Sequence, residues 1–362
     1  MATNKIEYFN CTIVNPTNAQ SPSICTSTIN TSSAILSNIK DYYGSIIRCN
    51  ISQFMIPVTF FLVQTPVTNI NLGVYSFTLA YKGVYSNQTF LIWIPTNSTS
   101  AIPPTGTATQ TQSNYYFCYS YQTFINIMNT ALKEAFADLQ AKTTGLNAGD
   151  YPFITYDSGL QQLKLYAPMA YDQNDADPVL VYCNTQLQPF LHGFRILTNT
   201  YTGTNNGCNF LIDIRSLPDE NYLANQVQVN LKTLLLMSQE ASCLSYWNML
   251  RSVIISSTLP INSESNYSSN GATIFENIVT DYTPDLSGPD EALICAKQNI
   301  YNASSLYRLF EFKNSASNLN CMNLSIKFTD NDNNLYPLEL FPGMRCDIKF
   351  MFVHKSLVNF SL

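Results

Sequence analysis

The residues best suited to chemistry in this chain stand apart from one another. Only two histidines occur, His192 and His354. His192 sits between Leu191 and Gly193 with no acid or thiol beside it, and His354 closes the last apolar run next to Lys355. A Ser–His–acid hydrolase needs its serine on a strained Gly-x-Ser-x-Gly turn, and the sequence has none. Neither of the glycine-rich patterns that cradle phosphates is present. Adjacent carboxylates occur at Asp219-Glu220 and Asp290-Glu291, each directly after a proline. They read as solvated turn acids, because a glycosidase needs two opposed carboxylates brought together by the fold. The run Asp330-Asn331-Asp332-Asn333-Asn334 imitates a calcium loop. Leu335 stands where such a loop needs glycine and Phe341 where it needs a bidentate glutamate, so it reads as a strand-connecting turn.

The 10 cysteines fall at positions 11, 25, 49, 118, 183, 208, 243, 295, 321 and 346. No Cys-x-x-Cys occurs, and zinc sites need closely spaced ligand pairs. The N-terminus, MATNKIEYFNCTIVN, lacks the basic-then-apolar order of a secretory signal. The thiols are therefore expected to be free, buried and reduced. Asn-X-Ser/Thr triplets such as Asn50-Ile51-Ser52 carry no weight in a chain with no secretory signal. No catalytic residue, cofactor or metal site is expected.

Composition points the same way. Only 12% of the 362 residues are charged, about half the share of an ordinary soluble domain. Hydrophobic residues make up 46%, with 23 Tyr and 21 Phe but only 2 Trp. Asn, Ser and Thr occupy the places that charges usually take. Such a surface suits burial against other protein. The net charge is −6 and the 18 basic residues are scattered, so direct nucleic-acid binding is not expected. No run reaches the ~18 apolar residues of a membrane span.

The elements that would position any site are mostly short strands. SIIRCNISQFMIP (45–57) is β-branched and aromatic, bounded by Gly44 and Pro57. In GVYSFTLAYKG, Tyr75, Phe77, Leu79 and Tyr81 alternate with small residues, which predicts a half-buried strand. NQTFLIWIP (87–95) returns from it as a hairpin. The uncharged stretch 96–114 reads as a boundary or exposed loop. One helix is clear over about 120–142: Phe124, Ile127, Ala131, Leu132, Ala135 and Leu139 recur at spacings of three and four. Then come a hairpin turning at Asp157-Ser158-Gly159 and strands in 178–183, 210–215, 226–237 and 247–261, with a polar loop at 262–277. At the end, Leu324, Ile326 and Phe328 alternate with polar residues, as do Cys346, Ile348, Phe350 and Phe352. The pattern is an all-β sandwich or jelly roll carrying an α+β piece.

The C-terminal strings IVTDY (278–282), LYRLFEF and NLSIKFTD-turn-PLELFPGMRCDIKFMFVHK resemble the final strands of penton (minor capsid) proteins of virophages and Polinton-like viruses, Sputnik among them. FINIMNTALKEAF followed by PFITYDSGLQQLKLYAP, and FLHGF (190–194), are similar to a module of the same family. The resemblance implies a single jelly-roll β-sandwich base with an inserted outer domain, placed at the five-fold vertex of an icosahedral virion. It divides the chain into an N-terminal arm (1–40), a base (41–113 and 245–362) and an insertion (114–244). It implies a homopentamer that meets trimers of the major capsid protein. Synthesis in the host cytoplasm follows, with the insertion as the candidate for a host-surface ligand. The competing readings are a major capsid protein of a related virus and a soluble carbohydrate- or receptor-binding β-sandwich. In the arm, Ile6, Tyr8, Phe9, Ile13 and Val14 are too apolar for a solvated tail. They are expected to form an interface, ordered only when a neighbouring subunit covers them.

Overall fold

The computed structural model describes residues 5–19, 23–32, 34–54, 59–62, 75–92, 115–118, 121–198, 208–216, 224–241, 250–262, 264–269, 272–284, 297–303, 308–313, 318–330, 333 and 335–358. They separate into two compact units. One holds the described residues up to 54 and from 250 onward, and the other holds those from 59 to 241.

The first unit is built on β1 (Ile6–Val14), β2 (Thr26–Asn30), β3 (Tyr42–Phe54), β4 (Ser252–Ser257), β5 (Ala272–Tyr282), β6 (Lys297–Asn302), β7 (Cys321–Thr329) and β8 (Arg345–His354). One sheet runs β1-β8-β3-β6 and the other β2-β7-β4-β5, with every neighbouring pair antiparallel. Strands consecutive in the chain alternate between the two sheets in the manner of a jelly roll, except β4 and β5, which are neighbours in one sheet. The alternation read from sequence sets the register. Met322, Leu324, Ile326 and Phe328 of β7 are buried, as are Cys346, Ile348, Phe350 and Phe352 of β8. Each fully buried Phe contributes roughly 1.5–3 kcal/mol. Gly44 in β3 is required by packing, because a Cβ there would run into the Phe310 ring.

Two expectations need correction here. Residues 1–40 are not a detached arm. β1 pairs with β8 over its whole length, from Ile6 opposite Val353 to Val14 opposite Arg345. β2 pairs with β7, and Ser23–Ile24 pairs with Glu339–Leu340. The apolar residues that looked excessive for a tail are one edge of the sandwich. The jelly-roll base also does not take in all the strands of 41–113. The strand Ser76–Tyr81 belongs to the second unit, where it pairs with Leu180–Cys183. Ser76–Tyr81 follows β3 in the chain, but its long-range pairing decides its membership.

In the second unit, α1 (Tyr121–Lys142) buries Phe124, Ile127, Met128, Ala131, Leu132, Ala135 and Leu139 along one stripe. It packs on Ser76–Tyr81 and on Phe153–Asp157. Asn129 is a polar break in that stripe. Its side chain donates to the Ile154 carbonyl at 2.8 Å and accepts from the Ile154 N–H at 2.7 Å, serving the strand edge as a backbone would. One sheet orders Ile196–Thr198, Phe210–Ile212, Leu180–Cys183, Ser76–Tyr81 and Val84–Tyr85. Another orders Phe153–Asp157, Gln162–Pro168, Lys232–Ser238 and Asn225–Val229. Ser76–Tyr81 is not half-buried as its alternation predicts. Ser76, Phe77, Thr78 and Leu79 are all 0% exposed, because this strand is central in its sheet and the helix covers it.

Candidate assembly surface

β1 is an edge strand, and its two faces differ. Lys5 accepts a backbone hydrogen bond from His354, and Asn15 donates one to Met344, at the two ends of the β1–β8 ladder. In an antiparallel pair, residues that bond to the partner alternate with residues whose N–H and C=O point away from it. The odd-numbered residues of β1 therefore bond to β8. The N–H and C=O groups of Ile6, Tyr8, Asn10, Thr12 and Val14 face the open edge, and no strand among the described residues takes them. Side chains follow the same parity. Cys11 and Ile13 are buried in the sandwich, whereas Ile6 is 49%, Tyr8 57% and Val14 53% exposed.

Across the outer face of this sheet the polar groups are satisfied locally. Thr12 Oγ1 donates to Asp347 Oδ1 at 2.8 Å, and Arg345 Nε lies 3.2 Å from Asp347 Oδ2. Lys349 Nζ lies 4.8 Å from the centre of the Tyr8 ring. On the far edge, β6 exposes Ile300, and Arg48 of β3 is also exposed. Four of the chain's exposed large apolar side chains thus mark one face of one sheet: Ile6, Tyr8 and Val14 at one edge, Ile300 at the other.

The residues expected at an interface therefore divide. Ile6, Tyr8 and Val14 stand outward together. Ile13 is 6% exposed and faces the sandwich, and Phe9 is partly covered, its ring centre 6.4 Å from that of Phe350. Ile13 and Phe9 serve this chain's own core. The parity of IEYFNCTIV carried this signal, since apolar residues fall on even and odd positions alike, as in a strand with something to cover on both faces. Ile300 was not singled out from sequence.

Elsewhere the polar and reactive groups have structural work. The 8 described cysteines are all free thiols. Cys49 Sγ and Cys346 Sγ touch at 3.7 Å in the core of the sandwich. The hydrogen bond between them and burial hold Cys49 well above the ordinary thiol range. Burial likewise pushes Cys183 up. These are inert neutral thiols, and no His/Cys/Asp/Glu cluster among the described residues could hold a metal. Asp213 is 0% exposed, with Arg215 Nε 2.7 Å and Arg195 Nε 2.9 Å from its oxygens, a buried ion-paired carboxylate. His192 and His354 stay apart. The His192 carbonyl accepts from Gln239 Nε2, and His354 lies edge-on to Tyr42 at 5.3 Å. Asp330 Oδ2 accepts from the Tyr336 hydroxyl at 2.9 Å, as a turn acid does. Asp219-Glu220 and Asp290-Glu291 lie outside the described residues. No helix among the described residues is long and apolar enough to cross a membrane.

A jelly roll with exposed apolar side chains on one sheet face is an architecture that viral capsid proteins use. Residues 7–354 match the family described as Sputnik minor capsid protein V18/19, and the chain belongs to that family. It is a structural capsid protein of a virus particle, assembling with other capsid components, and not an enzyme. Two Sputnik virophage proteins are similar in sequence. One, called Structural protein V19, is 28% identical over 212 residues, 57% of this chain and 95% of that protein. The other, called Uncharacterized protein V18, is 33% identical over 126 residues, 33% of this chain and 73% of that protein. A chain of the Sputnik virophage cryo-EM structure superposes with a TM-score of 0.71 at 27% identity, covering 98% of this chain and 99% of that one. The crystal structure of the mavirus penton protein shares the fold, with a TM-score of 0.60 at 14% identity and coverage of 96% and 99%.

Proposed function

We propose that this chain forms the homopentameric penton at the five-fold vertices of its icosahedral particle. The observation that carries the reading is the fold shared with the mavirus penton protein over 96% of the chain. The sparse charge supports it, because faces with few ions lose little hydration energy when subunits cover them. The mechanism is geometric: subunits pack flank to flank around the axis, and their outer flanks meet trimers of the major capsid protein. The chain is made in the host cytoplasm and ends in the virion. The second unit, inserted between β3 and β4, faces outward and is free to carry a host-surface ligand. Native mass spectrometry of the purified chain, with rotational classification of negatively stained particles, tests the reading. Five-fold rings are expected. A trimer would point to the major capsid role, and a stable monomer to a soluble binding module.

A further inference from the structure

We infer that neighbouring copies of this chain join by strand addition, the open edge of β1 in one copy pairing with the open edge of β6 in the next. The inference rests on the pentameric reading above and adds which surface does the joining. A closed ring of identical chains needs two different, complementary surfaces on each copy. The sheet β1-β8-β3-β6 has two such surfaces at its ends. On β1, the backbone groups of Ile6, Tyr8, Asn10, Thr12 and Val14 point outward, and among the described residues nothing pairs with them. On β6, the described pairing is to β3 alone.

Direction fits as well. Every step across the sheet is antiparallel, so β1 and β6 run in opposite directions. Joining β1 of one copy to β6 of the next therefore makes another antiparallel pair. The side chains that flank the junction suit burial. Ile6, Tyr8 and Val14 border one edge and Ile300, 47% exposed, the other. β1 also lacks the usual protections of a solvated edge. It is 9 residues long with no Pro and no Lys, and its single charge is Glu7, which acts inside the chain on the Tyr42 hydroxyl.

The parity of β1 supplies a sharp test. The N–H of Asn10 points away from β8, so Asn10→Pro removes a donor from the open edge and none from the chain's own sheet. Proline is tolerated at such edge positions. Wild type and Asn10→Pro are compared by sedimentation over a range of concentrations, with thermal unfolding as the control for folding. Tyr8→Lys is the second variant, placing a charge where the junction would be buried and giving a reading if the proline variant misfolds. The expected result is folded chains whose association weakens at least roughly tenfold, or disappears, in both variants. Rings that form with wild-type strength from either folded variant would overturn the strand-addition interface. If the wild type itself forms no ring, the pentameric reading fails instead.

Discussion

Cys11 shows how burial governs the reactive groups here. It is 5% exposed, and desolvation first, the charge of Asp347 second, push its thiol up to about 11. The folded chain then keeps a proton that the unfolded chain, with a thiol near 9.0, releases first. The sign follows: this contribution to stability is whole below pH 9.0 and is lost as pH rises toward 11. Allowing for partial solvent access, the loss is on the order of 1–2 kcal/mol. Urea unfolding at pH 8 and pH 10.5 should show the wild type weakening, and Cys11→Ala should weaken less over the same interval. Equal losses would place the alkaline sensitivity elsewhere, with Cys49, Cys346, Tyr171 and Tyr282, all shifted upward, as the groups to examine next. The sequence reads neither histidine as catalytic. It could not tell that Cys49 and Cys346 would meet, because 297 residues separate them and only the β3–β8 pairing joins them.

The strands tell a similar story about local and distant information. Regular alternation made β7 and β8 legible, and the three-and-four spacing made α1 legible. The hairpin Asn225–Val229 and Lys232–Ser238 was not legible, and QVQVNLKTLLLM read as one strand. Its turn is Asn230-Leu231, both with positive φ (48° and 66°), where a Gly usually announces the bend. Leu231 is fully exposed there, so no contact within the chain repays the strained backbone. Leu231→Gly should therefore stabilise the protein by about 1 kcal/mol in chemical denaturation. A loss of stability would mean that the leucine side chain is used within the folded chain. The polar stretch 262–277 misled for the opposite reason. It holds the hairpin of Glu264–Ser269 with the first half of β5, and Phe275 at 70% exposure shows that this part of β5 buries little. A strand with no face to bury carries no period-two signal.

For the whole chain, sparse charge points to burial against other protein, and long-range pairing sets the division into two units. Residues 1–40 read as an arm ordered only by a neighbouring subunit, but β1 and β2 are ordered by β8 and β7, which lie at the other end of the same chain. The N-terminal strands are thus part of the sandwich, and mobility of a free arm is not expected. Limited proteolysis of the free chain should leave Ile6–Val14 uncut. The same pairing shows where the second unit enters the chain, since the sandwich passes from β3 to β4 and everything described between Thr59 and Ala241 belongs to the other unit. All eight strands of the jelly roll, both sheets and the inward rows of β7 and β8 survive removal of that unit on paper. A variant in which a short Gly/Ser linker replaces residues 57–248 should therefore fold, with β-type circular dichroism and a cooperative unfolding transition. Closing the shorter loop also costs the chain less entropy than the wild type's long excursion. If the second unit faces outward, the variant should still form rings with the wild type's rotational symmetry. A folded monomer would show that the second unit supplies part of the subunit contact. Failure to fold at all would show that the sandwich depends on the second unit for its core.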